Sequence, residues 1–89
     1  MPYVEQARRP WYDGHVSNVS DALRAEDYPA GDVNYVLSRI LYRWWEHKPR
    51  YITICLVVGT LVCVALEFYW KVARKYEDKE CEDNGEVFM

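Results

Sequence analysis

The 89-residue chain contains few of the residues from which catalytic and metal sites are built. Its three cysteines and two histidines form no CxxC pair and no zinc-ligand spacing, and the odd number of cysteines argues against a closed disulfide framework. It contains no phosphate-binding loop, no nucleophile elbow and no HExxH sequence. We therefore expect no enzymatic activity, no cofactor and no bound metal ion.

Positive charge is also too scarce for a nucleic-acid-binding protein. The chain has 11 basic and 14 acidic side chains, which give a net charge of −3. Residues 1–50 are neutral overall, whereas residues 77–86 hold six acids and one lysine. Such a segment repels phosphate groups, so we expect no nucleic acid partner. Residues 77–89 are interpreted as a solvated acidic tail.

Apolar residues, by contrast, are plentiful and recur at helical spacing. They make up 51% of the chain, and aromatic residues alone make up 16%. After an irregular N-terminal arm at residues 1–14, the spacing predicts a first helix over residues 15–26. It predicts a second helix over residues 33–47, with Asp32 as its N-cap and Lys48-Pro49 at its end.

A third helix is predicted over residues 49–76, and it is long and strongly apolar. Residues 51–66 form a run of sixteen residues without a charge. The fold class is therefore all-α, with three helices between residues 15 and 76 in one small domain, residues 1–89. At the two ends, β-prone pairs stand beside turn-forming residues, and we expect them to form short terminal strands that lie together. These pairs are Tyr3-Val4 and Val87-Phe88.

The third helix suits two environments. A bilayer core needs about 20 residues, and residues 51–70 have basic and aromatic residues at both ends, as in a single-pass membrane helix. However, Glu67 interrupts the apolar sequence, and a carboxylate inside a membrane is costly. The alternative is a soluble helix, buried in a bundle or at a subunit interface. A helix that is apolar on all sides needs more cover than two short helices supply, so we expect a homo-oligomer.

Glu67 is itself a candidate functional residue, because a carboxylate in an apolar helix is costly unless it is paired. Thr53, Thr60, Glu67 and Arg74 are each seven residues apart, so they lie close to one face of a regular helix. One interpretation is an ion pair of Glu67 with Lys71 or with an arginine of the second helix. The other is a buried polar pocket in which Glu67 acts as a ligand or a catalytic carboxylate.

The second helix carries a cluster of arginine and tryptophan that is suited to binding an anionic nucleotide. Arg39 and Arg43 are one turn apart, so both guanidinium groups can reach one phosphate, and a neighbouring indole can stack on the base. The alternative is a solvated helix face with one tryptophan in the core. The predicted ligand-binding residues are Asn34, Tyr35, Arg39, Arg43, Trp44 and Trp45.

Segments at the start, middle and end of the chain carry a family resemblance. The start is MPYV, followed by RRP at residues 8–10, and the middle segment is GDVNYVLSRIL at residues 31–41. The end consists of LEFY at residues 66–69, YEDK at 76–79 and EDNGEVF at 82–88. Together these segments resemble a family of short, largely uncharacterised proteins encoded by tailed phages and bacteria.

The resemblance implies an origin rather than a particular chemistry. Typical members carry charged residues where this chain has Val62 and Ala65, which implies a third helix that is amphipathic and soluble. We expect a small homo-oligomeric binding protein in the cytoplasm of a bacterial host, in one form a protein that sequesters a nucleotide immune signal. Two alternatives stay open: a structural or interaction protein without a small ligand, and a single-pass protein of the inner membrane.

Overall fold

The computed structural model of the chain describes residues 4–85, and all regular structure in that range is helical. This confirms the all-α class and the long apolar third helix. A 3-10 turn, Gln6–Arg8, precedes the first helix, and a π-helical turn, Tyr69–Ala73, joins the last two helices. The α-helices are α1 (Pro10–Arg24), α2 (Ala30–His47), α3 (Tyr51–Phe68) and α4 (Arg74–Asn84). The chain divides into two compact units, Met1–Ile40 and Leu41–Met89.

Helix α1 begins earlier than the sequence predicts. The prediction of an irregular arm up to residue 14 is wrong for residues 10–14, because Pro10 occupies the first turn of α1. Proline is suited to that position, since its fixed φ matches the helix and its missing N–H would have no intrahelical partner there. The preceding segment is held by the guanidinium of Arg9, whose Nε donates a hydrogen bond of 3.0 Å to the carbonyl oxygen of Val4.

The turn between α1 and α2 uses left-handed backbone at two residues that are not glycine. Asp27 has a φ of 61° and Tyr28 a φ of 51°. The amide of Tyr28 donates to the carbonyl oxygen of Leu23 at 2.9 Å, and the amide of Asp27 donates to that of Arg24 at 2.9 Å. These bonds satisfy carbonyl groups at the end of α1 and reverse the chain there, so α1 ends at Arg24 and not at residue 26.

Helix α2 begins at Ala30, directly after Pro29. Asp32 therefore lies inside the first turn, and the prediction that it caps the helix is wrong. The amide of Val33 already donates to the carbonyl oxygen of Pro29 at 3.0 Å, which shows that the helical hydrogen bonds start before Asp32. The predicted end at His47 is confirmed.

Helix α3, the π-helical turn and α4 form one helical run of 34 residues, Tyr51–Asn84. The run starts two residues later than predicted, because Arg50 is extended, with φ −126° and ψ 156°. It also continues through most of the segment interpreted as a tail. Gly85, with a φ of 87°, ends the run, and its amide donates to the carbonyl oxygen of Cys81 at 2.8 Å.

The described residues contain no buried apolar side chain, and Thr53, 5% exposed, is the only buried residue among them. The predicted terminal strands fall mostly outside the described range, since only Val4 of the two pairs belongs to it. Val4 lies in no strand. The helices therefore carry apolar stripes that nothing within the described chain fully covers.

Candidate functional site

The first unit contains an apolar groove between α1 and the start of α2. We call residues 10–40 the hairpin, and the groove is a cavity of about 350 Å³ within it. Apolar side chains of both helices form nearly all of its wall, and His15 and Ser20 are the polar residues beside them. The large apolar residues of the wall are Val16, Val19, Leu23, Tyr28, Val33, Val36, Leu37 and Ile40.

A single side-chain hydrogen bond ties the turn of the hairpin to α1. The hydroxyl groups of Ser20 and Tyr28 lie 2.5 Å apart. The Tyr28 ring thereby stays in the wall of the groove, although its backbone adopts a conformation that bulky residues disfavour. Two other residues of the wall, Val16 and Ile40, remain 64% and 57% exposed. The groove is thus open and apolar, with little chemistry of its own.

In the second unit, α3 presents apolar side chains on every side except the face of Thr53, Thr60 and Glu67. Every large apolar residue of α3 except Val57 is exposed, and the best 18-residue window of the helical run is only 6% buried. By length and composition this run is the one helix in the described range that could cross a membrane. Cys55 and Cys63 are exposed free thiols.

The C-terminal border of α3 combines aromatic and charged residues at the π-helical turn. The guanidinium carbon of Arg74 lies 4.2 Å from the centre of the Trp70 ring, a cation–π contact. The Tyr69 hydroxyl donates a hydrogen bond of 3.0 Å to Oε1 of Glu77. Both contacts bridge the turn, where i→i+5 bonding adds a residue and shifts the helix faces. Arg74 is therefore rotated away from the face that carries Glu67, by about 100° for one extra residue.

All six residues of the predicted anion site lie on α2 and are at least partly exposed. In the first unit, the Ser38 hydroxyl donates to Oδ1 of Asn34 at 3.3 Å. In the second unit, the rings of Tyr42 and Trp45 are 5.8 Å apart, centre to centre, and inclined at 37°. Trp45 is half-buried and Trp44 is 37% exposed. Arg39 and Arg43 form no hydrogen bond or ion pair with any described residue.

Glu67 is half-buried in α3. Within residues 4–85, no three histidine, cysteine or acidic side chains are grouped so that they could hold a metal ion. The groove is not predictable from the sequence. The apolar spacing indicates α1 and α2 separately, and the groove follows only when the two stripes are placed side by side.

Residues 4–85 define a small all-α protein, and one helix in this range is long, apolar and exposed. It belongs to the family described as a domain of unknown function (DUF6899), which it matches over residues 1–87. Comparison with curated proteins gave no match. Comparison with solved structures gave none either.

Proposed function

We propose that the protein is a single-pass membrane protein, in which α3 crosses the bilayer and the hairpin recognises a partner at one membrane surface. The proposal rests on one observation: outside the face that carries Thr53, Thr60 and Glu67, α3 is apolar and its large side chains are exposed. An apolar surface this wide needs cover along most of the helix, and lipid supplies it without a matching protein surface.

The dimensions of α3 support this proposal. Its 18 residues rise about 27 Å at 1.5 Å per residue, close to the roughly 30 Å of a bilayer hydrocarbon core. Helical structure continues into Tyr69 and Trp70, so the apolar length reaches the core thickness. Glu67 then lies near the border, where a carboxylate costs less than at the centre.

The residues at the two ends of α3 also suit membrane interfaces. Tyr51 at the start is 80% exposed, and Trp70 after the end is 58% exposed. Basic residues stand close to both ends, with Lys48 and Arg50 before α3 and Lys71 after it. Tyrosine, tryptophan and basic side chains favour the headgroup region, because each combines an apolar body with a polar tip. In a bacterial host the proposed location is the inner membrane.

Fractionation of the full chain, expressed in bacteria, tests this proposal. We expect the protein in the membrane pellet, resistant to alkaline carbonate and released by detergent. A peripheral protein would be released by carbonate. Recovery of a soluble protein without detergent would contradict the membrane proposal and favour the second candidate.

The second candidate is a soluble homo-oligomer of phage type that binds a small anion, in one form a nucleotide immune signal. One observation favours it: Arg39 and Arg43 are free of partners in the described chain, one helical turn apart. Free guanidinium groups at this spacing can bind one phosphate together, and Trp44 or Trp45 beside them can stack on a base.

Calorimetry with mononucleotides and cyclic nucleotides tests this second candidate. We expect Arg39→Ala and Arg43→Ala each to weaken binding while the oligomer, measured by light scattering, stays intact. Arg24→Ala, a change of the same type on α1, is the control and should leave binding unchanged. Absence of heat with every nucleotide would leave an interaction protein without a small ligand.

A further inference from the structure

The surface of the hairpin is suited to a second copy of the same hairpin. This pairing rests on the proposed function only in taking the hairpin as the part that recognises a partner, and it does not depend on where α3 lies. Two features point to it: the hairpin has an apolar groove beside protruding apolar side chains, and α1 carries two unpaired charges next to that groove.

The groove and its rim are complementary to a second copy of themselves. Val16, Leu37 and Ile40 project at the wall and are 64%, 48% and 57% exposed, while the space between the helices is empty. Each hairpin therefore offers both apolar projections and an apolar recess. A surface of this kind can pair with itself about a twofold axis, because the same residues then contact each other in both directions.

The charges of α1 select the orientation of this pairing. Asp13 and Arg24 are eleven residues apart, so they lie on one face of the helix, and Ser20 in the groove wall lies between them on that face. Neither side chain has an ion-pair partner among the described residues. An antiparallel second α1 whose twofold axis passes midway between these two residues, at Asn18 and Val19, places Arg24 of each copy opposite Asp13 of the other.

We propose that the hairpins of two copies of this chain pack groove to groove, with α1 antiparallel to α1 and two ion pairs between Asp13 and Arg24. The 15 residues of α1 and the 11 residues of α2 within the hairpin, in helices about 10 Å wide, cover on the order of 800 Å² in both copies together. This is below the roughly 1,200 Å² of a stable complex, so the contact is weak by itself. When two copies lie in the same membrane or in one oligomer, the local concentration of hairpins is higher, and the weak contact between them can form.

Because the contact is weak, covalent trapping is the appropriate test. In the full chain with Cys55, Cys63 and Cys81 changed to serine, Asp13→Cys and Arg24→Cys are placed in separate copies with different tags and co-expressed. Mild oxidation should yield the mixed dimer.

Copies that carry only Asp13→Cys should not crosslink, since the two thiols lie about 16 Å apart along the helices. In the matched control, Ala25→Cys replaces Arg24→Cys. It moves the thiol by one residue and about 100° around the helix, and the mixed dimer should be lost.

A charge-reversal series tests the ion pairs with a single reporter, the exposed Ser17→Cys, which lies close to the twofold axis. Asp13→Arg alone and Arg24→Asp alone should each reduce the crosslinked dimer, and the double reversal should restore it. Helix content by circular dichroism checks that every variant folds. An equal yield with Ala25→Cys, crosslinking to a different protein only, or no rescue by the double reversal would overturn the proposal. Carbonate extraction of the same samples reports on the membrane span separately, so the two proposals can fail independently.

Discussion

Tyr28 shares a hydrogen bond with Ser20, at 2.5 Å between their hydroxyl oxygens, across the turn that reverses the chain between α1 and α2. Tyr28 is also one of two residues in this turn with left-handed backbone. The strained residue is thus held by its side chain, and its ring fills part of the groove wall. The turn and the groove therefore depend on each other.

Removal of the Tyr28 hydroxyl should lower the stability of the hairpin slightly. We expect Tyr28→Phe to reduce the free energy of unfolding by about 0.5–1 kcal/mol, at the low end for a hydrogen bond because this pair is exposed. Urea unfolding followed by circular dichroism measures the change. Tyr35→Phe, at a tyrosine 66% exposed, is the control and should have no effect. Equal effects of the two changes would mean that the hydroxyl contact contributes nothing.

Glycine at position 27 should stabilise the turn. Asp27 has a φ of 61°, which an L-residue adopts at a cost and glycine adopts freely. We expect Asp27→Gly to raise the free energy of unfolding by up to about 1 kcal/mol. Ala25→Gly should do the opposite and cost about 0.5–1 kcal/mol, because Ala25 has right-handed helical backbone, with a φ of −55°. Two shifts of the same sign would contradict this account of the turn.

A charge in the middle of α3 should prevent membrane insertion. An arginine at the centre of a spanning helix costs about 3 kcal/mol, so Val58→Arg should move much of the protein out of the carbonate-resistant pellet. Val72→Arg is the matched control, since Val72 is 51% exposed and Val58 is 56% exposed, but Val72 follows α3. Its fractionation should stay like that of the unmodified chain. If both variants stay in the pellet, α3 is not the anchor.

The contact between Arg74 and Trp70 should contribute modestly to the helical run. A cation–π pair at an exposed site is worth about 0.5–1 kcal/mol, so Arg74→Gln should reduce the free energy of unfolding by that amount. Lys75→Gln removes the neighbouring positive charge and serves as the control for net charge. Thermal unfolding in detergent compares the two. A larger loss with Lys75→Gln would show that charge, and not the ring contact, is responsible.

The sequence predicts the end of a helix best where a proline follows it, because proline cannot continue the helix. Lys48-Pro49 correctly marked the end of α2 at His47. Pro10 was assigned to an irregular segment, although proline within a first turn is compatible with a helix start. The predicted end of the third helix at residue 76 is wrong, because charge alone says little about backbone. Glutamate and lysine form helices well, and Asn84 donates to Glu80 one turn back at 2.8 Å.

The candidate sites were less predictable than the helices. The apolar length of α3 follows directly from composition, but its exposure depends on what surrounds it. The pairing of Ser20 with Tyr28 requires the left-handed backbone at Asp27 and Tyr28, and nothing in those two residue types predicts it. The anion site on α2 stays a prediction, because helical spacing brings its residues to one helix without showing what they bind.

The π-helical turn at Tyr69–Ala73 makes the direction of the α4 side chains independent of the length of α3. In an uninterrupted helix, any residue gained or lost in α3 would rotate every side chain of α4. A turn that already holds one extra residue can absorb such a change by tightening to ordinary α-helix or by widening further. Evolution can therefore lengthen or shorten the apolar segment to suit a different surrounding while the charged surface of α4 keeps its direction. Related sequences in which α3 is longer or shorter should accordingly show the compensating change at residues 69–73 and keep α4 unchanged.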